Sequence, residues 1–252
     1  MDNKLLFSGH QNSYTKSRPN YAEKFLDDLY TVYSFSENSI IADIGSGTGI
    51  FSKQLLERGS TVYGIEPNTD MRRKAEKELC DFKKFFSIAA SAENTGLKSG
   101  SVDIITSAQA FHWFDTLKFK QECRRILKSR GLAVLTWNMR DENDSVTIKC
   151  RDVFSKYCPE FKGFSGGIGQ DDKRIEEFFR PCIYEKKTYD NDLMFTKEKF
   201  IQRCLSSSYA LRQGDADYNE YLSALTRIFD DFSVDEHLCM KNKTIAYIGR
   251  FN

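Results

Sequence analysis

Short apolar runs alternate with amphipathic stretches from Ser39 to Asn138, and many of the apolar residues are β-branched. Such runs predict buried strands, and the segments between them, with apolar residues at helical spacing, predict helices. The predicted strands are Ile40–Ile44, Thr61–Glu66, Lys84–Ala89, Val102–Thr106 and Leu132–Trp137; the predicted helices are Ile50–Arg58, Thr69–Leu79 and Leu117–Lys128. This alternation is typical of βαβ units, so the sequence predicts an α/β fold with a mostly parallel, doubly wound sheet.

The alternation ends after Asn138. Basic residues and a glycine at Ser129–Gly131 predict the carboxyl-terminal end of the helix before the fifth strand. Further along the chain we expect helices at Asp144–Tyr157, Lys197–Cys204 and Tyr218–Phe232, and strands at Cys182–Tyr189 and Lys243–Phe251. The second half of the chain therefore predicts a largely helical insertion before the last strands of the sheet.

A glycine-rich turn, Gly45-Ser46-Gly47-Thr48-Gly49, follows the first predicted strand and its Asp43. Glycine lets the backbone turn tightly and approach a ligand closely. Glu66 ends the second predicted strand, where an acid can accept hydrogen bonds from ribose hydroxyls. The third glycine of a dinucleotide motif would fall at Ile50, and no Gly-Lys-Ser/Thr follows the turn, which argues against dehydrogenases and P-loop proteins. The pattern predicts an adenosine pocket.

The turn resembles the first motif of class I S-adenosylmethionine-dependent methyltransferases, acid-x-Gly-x-Gly-x-Gly, and Glu66-Pro67 resembles the ribose-binding end of their second strand. Ser107–Asp115 is similar to the A-x-x-x-H-W-F segment of small-molecule methyltransferases such as trans-aconitate methyltransferase. The resemblance implies a Rossmann-like methyltransferase sheet that binds S-adenosyl-L-methionine. The implied cofactor contacts are Tyr14, Arg18, Asp43, Gly45, Ser46, Gly47, Gly49, Glu66, Pro67, Met71, Ser91, Ala92, Glu93, Gln109, Ala110, His112 and Trp113.

Three of these positions allow two interpretations. Ser91 could cap a short helix that starts at Ala92, or this segment could contact the adenine, and both roles are compatible. His112 could act as a general base, because imidazole titrates near neutrality, or it could orient the loop and the cofactor, which we favour. The motif from Tyr14 through Arg18 and Pro19 to Tyr21 could form a helix-entry turn or, as the resemblance suggests, fold over the cofactor.

The resemblance also predicts a domain organisation. Residues 1–38 would form an N-terminal helical lid, residues 39–140 the S-adenosylmethionine-binding core, and residues 141–252 a substrate-cap insertion with the last strands of the sheet. In the family, insertions after the fifth strand usually cover the substrate pocket.

Charge and cysteine content restrict the partners. The 37 basic and 36 acidic residues give a net charge of +1, and no basic stripe or Asn/Asp-Pro-Pro-aromatic motif is present. Methylation of a nucleic acid or protein, or binding to a membrane, is therefore not expected. The seven cysteines are scattered without metal-ligand spacing, and no signal peptide or membrane-spanning run occurs, so we expect reduced thiols, no metal and a cytoplasmic protein. The sequence does not indicate the oligomeric state.

The sequence thus predicts an enzyme that transfers a methyl group from S-adenosylmethionine to a small molecule, mainly by proximity and desolvation. A carboxylic acid is one candidate acceptor, because arginines in the second half of the chain could bind carboxylates as forks: Arg140, Arg180, Arg203 and Arg212. A non-catalytic S-adenosylmethionine-binding protein is an alternative that the motifs do not exclude. A nicotinamide-dependent oxidoreductase is a weaker alternative because of Ile50.

Overall fold

The computed structural model describes residues 19–164 and 172–251 of the chain. The helices are α1 (Glu23–Thr31), α2 (Ile50–Glu57), α3 (Thr69–Glu78), α4 (Thr116–Ile126), α5 (Ser145–Tyr157), α6 (Asp172–Phe179), α7 (Lys197–Leu205) and α8 (Tyr218–Phe232). The strands are β1 (Ile40–Ile44), β2 (Thr61–Ile65), β3 (Phe85–Ile88), β4 (Val102–Ala108), β5 (Leu127–Arg140), β6 (Tyr184–Asp190), β7 (Leu193–Phe195), β8 (Leu238–Met240) and β9 (Asn242–Arg250).

Seven strands form one sheet in the order β3-β2-β1-β4-β5-β9-β6. The pairs β1/β2, β2/β3, β1/β4 and β4/β5 are parallel, and Ala42 in β1 lies between Tyr63 in β2 and Ile105 in β4. The chain moves from β1 to one side of the sheet and returns to β4 on the other, so the switch point lies between β1 and β4. Ligands of such sheets bind at the carboxyl ends of the strands beside this point. The predicted α/β, doubly wound, mostly parallel sheet is confirmed.

Within the described residues, the chain divides into two compact units, each with its own hydrophobic core. The first unit comprises residues 19–138, 172–189 and 244–251 and contains nearly all of the seven-stranded sheet. Its core includes Phe25 and Leu29 of α1, packed with Ile41 of β1. The second unit comprises residues 139–164 and 190–243. It contains α5, α7, α8 and the antiparallel pair β7-β8, with Phe200 and Tyr221 fully buried in its core.

The connection between α4 and β5 differs from the prediction. The helix ends at Ile126 and the strand begins at the next residue, so the predicted end of the helix at Lys128, with a stop signal at Ser129–Gly131, is wrong. The residue with positive φ is Arg130, at 63°. Gly131 is needed for another reason, because a Cβ there would lie 2.5 Å from Leu127 Cδ2. The register between β4 and β5 shifts here, from Val102 opposite Leu127 to Ile104 opposite Leu132, and glycine leaves room for the Leu127 side chain.

The sequence pattern also missed three elements, α6 and the two short strands β7 and β8. Each is eight residues or shorter, and such segments carry little periodicity. No helix in the described parts of the chain is long and apolar enough to cross a lipid bilayer.

Candidate functional site

The glycine turn after β1 contains three residues with positive φ: Gly45 at 70°, Gly47 at 57° and Gly49 at 84°. A Cβ on Gly45 would lie 2.5 Å from the Cβ of Ala110, and one on Gly49 would lie 2.8 Å from Cδ1 of Leu79. Gly45 and Gly49 are therefore required by packing as well as by backbone conformation. Around Gly47 the nearest side-chain atom to such a Cβ is 3.8 Å away. Only Gly47 leaves room for a ligand against the backbone.

Asp43, at the end of β1, is completely buried, and both of its carboxylate oxygens accept hydrogen bonds. Ser52 in α2 donates to Oδ2 at 2.6 Å, and Thr106 in β4 donates to Oδ1 at 2.9 Å. Burial raises the pKa of Asp43 to about 6, and the two hydroxyl groups counteract this rise only in part. Asp43 thus ties β1 to α2 and β4 beneath the glycine turn. Its contact with a cofactor stays a prediction.

Glu66 follows β2 and is 7% exposed. Its Oε2 accepts the N–H of Gly47 at 3.0 Å, and its Oε1 accepts the N–H of Asn68 at 2.8 Å. Burial is the main cause that raises the pKa of Glu66 above its ordinary value. Because a carboxylate can accept about four hydrogen bonds, these two contacts leave capacity for ligand hydroxyl groups. Glu66 holds the one open glycine of the turn in place.

Asn68 and Met71, which follow Glu66 in the chain, complete this side of the site. Asn68 caps α3 by accepting the N–H groups of Asp70 and Met71, both at 3.0 Å. Met71 is buried, and its sulfur is the side-chain atom closest to the open position beside Gly47. The prediction included Pro67 and Met71 but missed Asn68, although its position directly before a predicted helix was a capping signal.

The segment after β3 forms a turn and no helix. Ser91 and Asn94 form an isolated antiparallel bridge, and the N–H of Asn94 donates to the carbonyl of Ser91 at 3.3 Å. Of the two interpretations of Ser91, the cap of a short helix starting at Ala92 is therefore wrong. Ala92 is buried in the turn, and Oε1 of Glu93 accepts the N–H of Asp115 at 3.0 Å. Glu93 thus connects the turn to the segment that follows β4.

That segment begins with Gln109, a non-glycine residue at a φ of 59°. Its N–H donates to the carbonyl of Thr136 at 2.9 Å, and its Nε2 donates to the carbonyl of Asn138 at 2.8 Å, both in β5. Such a backbone conformation is uncommon outside glycine and persists where surrounding contacts enforce it. The hydrogen bonds fix the start of the aromatic segment at the carboxyl end of β4.

The next residues bring the segment against the glycine turn. Ala110 packs on Gly45, and Phe111–Trp113 form one turn of 3-10 helix. The ring centroids of His112 and Trp113 lie 4.8 Å apart, and both side chains are half-buried. The aromatic segment and the glycine turn therefore meet at the switch point of the sheet.

Arg174 in α6 secures this segment, although the sequence prediction did not include it. Its guanidinium donates to the carbonyl oxygens of His112 at 3.2 Å and Phe114 at 2.7 Å, and to Oγ1 of Thr116 at 3.1 Å and 3.0 Å. It also lies 5.4 Å from the ring centroid of Phe111. Arg174 is about sixty positions away along the chain, and no motif in the sequence connects it with this turn.

The predicted residues Tyr14 and Arg18 lie outside the described residues. The adjoining residues of the same motif are attached to the first unit. The N–H of Tyr21 donates to Oε1 of Gln54 at 2.9 Å, and the Tyr21 ring packs against Phe51 with centroids 4.8 Å apart. Nδ2 of Asn138, at the end of β5, donates to the carbonyl of Asn20 at 3.0 Å. A lid role for the motif stays a prediction.

The site fits a nucleoside-type cofactor. Among the described residues, Oγ1 of Thr48 and Oγ of Ser107 are buried without a hydrogen-bond partner. Buried polar atoms normally have partners, so these two hydroxyl groups on either side of the switch point are suited to a polar ligand. With the open backbone at Gly47 and the remaining capacity of Glu66, they provide the features that an adenosine ligand requires. The described residues contain no cluster of metal-binding side chains.

Comparison with known proteins identifies the same part of the chain. Residues 42–135 match a family model described as a methyltransferase domain. An uncharacterised methyltransferase of Mycobacterium bovis is 31% identical over 141 residues, which cover 56% of this chain and 55% of that protein. The chain thus spans about half the length of the curated relatives it matches.

Solved structures share the fold at low identity. A type II methyltransferase structure from Anaeromyxobacter dehalogenans has a TM-score of 0.60 and 20% identity, covering 92% of this chain and 97% of that one. Phosphoethanolamine N-methyltransferase 2 of Haemonchus contortus, in complex with phosphomonomethylethanolamine and S-adenosylhomocysteine, has a TM-score of 0.57 and 17% identity, covering 98% of this chain and 59% of that one. None of these matches shows the predicted similarity to trans-aconitate methyltransferase. Residues 42–135 are therefore similar to a methyltransferase domain, and the chain shares its fold with solved methyltransferase structures.

Proposed function

We propose that this protein transfers the methyl group of S-adenosylmethionine to a small-molecule acceptor. The observation that carries the proposal is the arrangement at Gly47, whose open backbone is held by the buried carboxylate of Glu66 at 3.0 Å. The two unpartnered hydroxyl groups, Thr48 Oγ1 and Ser107 Oγ, support the same proposal. The bound neighbour from Haemonchus contortus, whose ligands are S-adenosylhomocysteine and a small phosphorylated amine, supports a small acceptor.

When bound, the cofactor supplies an activated methyl group, which moves to an electron pair of the acceptor while the carbon–sulfur bonding electrons remain on sulfur. The protein contributes alignment and exclusion of water. Glu66 would accept hydrogen bonds from the ribose hydroxyls, and the backbone of Gly47 would lie directly against the cofactor. The faces of His112 and Trp113 would lie near the sulfonium, because aromatic faces attract cations.

Positioning contacts then matter more than reactive groups. Asp43 and Arg174 would hold the glycine turn and the aromatic segment in one geometry without touching the reactants. Such rigidity favours transfer because a methyl group moves in line between two atoms that must be held close together. Proton transfer by His112 stays a prediction, and so do the remaining cofactor contacts.

Binding measurements test the proposal first. Isothermal titration calorimetry with S-adenosylmethionine, S-adenosylhomocysteine and NAD is expected to show binding of the first two compounds only. A screen with cofactor labelled in the methyl group, against small acids, amines and phenols, is then expected to yield a labelled product. Binding of NAD alone would refute the assignment of the cofactor, and cofactor binding without turnover on any acceptor would favour a binding protein.

A test of the ribose role of Glu66 must change both the residue and the ligand, because Glu66 also holds the turn. We expect Glu66→Gln to weaken binding of S-adenosylhomocysteine by about 1–3 kcal/mol, since buried donors lose their acceptor. Loss of turn geometry alone would produce the same result. The 2′,3′-dideoxy analogue separates the two effects: its deficit relative to S-adenosylhomocysteine should shrink in Glu66→Gln if the carboxylate binds the ribose hydroxyls.

The exposed Glu57 in α2 provides a matched control. Glu57→Gln removes the same charge from the same unit and is expected to leave both dissociation constants unchanged. If the dideoxy analogue loses the same binding free energy, relative to S-adenosylhomocysteine, in the wild type and in Glu66→Gln, Glu66 is excluded as the ribose ligand.

A further inference from the structure

The second unit contains an aromatic cluster formed by Phe154, Phe161, Phe164 and Tyr209. Ring centroids within it are 5.5 Å apart for Phe161 and Phe164, 4.9 Å for Phe161 and Tyr209, and 5.3 Å for Phe154 and Tyr209. Phe154 is buried, whereas the other three rings are only half-buried. The cluster therefore has a packed inner side and rings that remain in part accessible.

Arg140, the last residue of β5, reaches this cluster. Its guanidinium carbon lies 4.3 Å from the ring centroid of Phe164. Its Nε atom is buried and has no hydrogen-bond partner among the described residues. No described carboxylate forms an ion pair with Arg140 either, although fifteen ion pairs occur elsewhere in the described chain.

This is an unusual situation for an arginine. Removing a guanidinium from water is unfavourable unless an anion and hydrogen-bond acceptors replace the water. The face of Phe164 offsets part of this effect, because aromatic rings attract cations, but it accepts no conventional hydrogen bond from Nε. The described residues therefore give Arg140 no anionic acceptor group.

A second arginine acts on the same neighbourhood. The guanidinium carbon of Arg203 in α7 lies 5.4 Å from the ring centroid of Phe195. Arg140 and Arg203 both lower the pKa of the buried Cys204 thiol, which its hydrogen bond with Cys150 and burial raise well above the ordinary value. Arg140 also lowers the pKa of Tyr209, which burial raises overall. The positive charges of the two arginines thus act on the same buried thiol of the second unit.

The other arginines considered from the sequence differ from this pair. Arg180 is exposed and forms an ion pair with Glu176 at 2.9 Å, and Arg212 is exposed. Neither combines burial of guanidinium atoms with an aromatic surface. The structure therefore separates Arg140 and Arg203 from the arginines at the surface.

We propose that Arg140, assisted by Arg203, binds a carboxylate or phosphate group of a small-molecule ligand, while the ligand's apolar part packs against Phe164 and Tyr209. All four residues belong to the second unit, so the proposal does not depend on the proposed methyl-transfer function. The planar fork of arginine suits both anions, since each offers two oxygens at matching spacing. The half-buried aromatic rings favour a ligand with an aromatic or otherwise apolar body.

Calorimetry with paired probes tests this proposal. The carboxylate pair is phenylacetate and phenylacetamide, and the phosphate pair is phenyl phosphate and its neutral dimethyl ester. Each is titrated into the full chain with and without saturating S-adenosylhomocysteine. We expect at least one anion to bind at least tenfold more tightly than its neutral partner, and the pair that shows this preference identifies the anionic group.

Variants then locate the binding group. Arg140→Met is expected to weaken binding of the preferred anion at least tenfold, and Arg140→Lys to weaken it less because the charge remains while the fork is lost. Arg212→Met, an exposed arginine of the same unit, is expected to bind like the wild type. If Arg140→Met fails to fold, Arg140→Lys and protection of Arg140 from phenylglyoxal by the preferred anion, followed by mass spectrometry, provide the decision.

The outcomes distinguish this proposal from the proposed function. Absence of S-adenosylhomocysteine binding to the wild type would refute the function. Normal S-adenosylhomocysteine binding, combined with no preference for either anion or with unchanged anion binding in Arg140→Met, would overturn the anion site alone. Phenylglyoxal modification of Arg140 that the anion does not slow would overturn it as well.

Discussion

Replacing Asp43 by asparagine should change how the stability of the first unit depends on pH. Asp43 is fully buried, and its pKa is raised from 3.8 to about 6, mainly by burial. In the unfolded chain the carboxyl group returns to its ordinary value, so the native protein holds more protons than the unfolded one between about pH 4 and pH 6. The free energy of unfolding should therefore fall as the pH rises through this interval.

The magnitude follows from the shift. A difference of about two pKa units corresponds to about 3 kcal/mol, because one unit is worth about 1.4 kcal/mol. Asparagine carries no charge at any of these pH values, and its amide can still form hydrogen bonds with the hydroxyl groups of Ser52 and Thr106. Between pH 4 and pH 7 the wild type should therefore lose about 3 kcal/mol of unfolding free energy through Asp43, a loss that Asp43→Asn should not show.

Tryptophan fluorescence provides the assay. The only two tryptophans of the chain, Trp113 and Trp137, both belong to the first unit, so their emission reports the unfolding of that unit. Urea titrations of the wild type and Asp43→Asn at half-unit steps from pH 4 to pH 7.5 give both free energies. Glu66 titrates in both proteins and so largely cancels in the comparison. Parallel pH profiles for the two proteins would show that the buried carboxyl group carries no such penalty.

Two further substitutions test the packing of the site. Gly49→Ala is compared with Gly96→Ala, because both place a side chain at positive φ but only a Cβ at Gly49 meets a neighbour, Leu79 at 2.8 Å. In urea titrations Gly49→Ala should lower the free energy of unfolding by about 1–3 kcal/mol more than Gly96→Ala does, and equal losses would contradict the packing role. Arg174→Met should destabilise the first unit by about 1–3 kcal/mol and speed hydrogen exchange in the 3-10 turn after β4, because the Arg174 guanidinium binds two backbone carbonyls there. Substitution of the exposed neighbour, Lys173→Met, is the control. Unchanged hydrogen exchange in Arg174→Met would refute the assignment.

Local patterns predicted the sheet and the glycine turn because their causes are local. The strands β1 and β4 are largely buried on both faces, so most of their residues are apolar and stand out in the sequence. The turn must follow β1 within a few residues, and its positive φ angles require glycine. These features leave a signature that needs no knowledge of the rest of the chain.

The turn after β3 shows where local patterns fail. A serine before Ala92 is compatible with a helix cap, so the sequence allowed a helix there as one of two interpretations. In the structure, Oε1 of Glu122 in α4 accepts both the N–H and the hydroxyl of Thr95, at 2.8 Å and 2.6 Å. These contacts hold the buried Thr95 against α4 and use its N–H, so the chain cannot continue as a helix after the turn. A partner far along the chain therefore decides the local conformation.

The acidic residues of the site have a second role that the motif did not indicate. The sequence identified Asp43 and Glu66 through their match to a cofactor-binding family, which suggests contact with the ligand. In the structure, both carboxylates bind protein donors: Asp43 accepts from two hydroxyl groups, and Glu66 accepts from the N–H groups of Gly47 and Asn68. A match at these positions is thus evidence for the shape of the turn before it is evidence for a ligand contact. Loss of cofactor affinity in a single variant cannot separate the two roles, whereas removing the ribose hydroxyls from the ligand as well can do so.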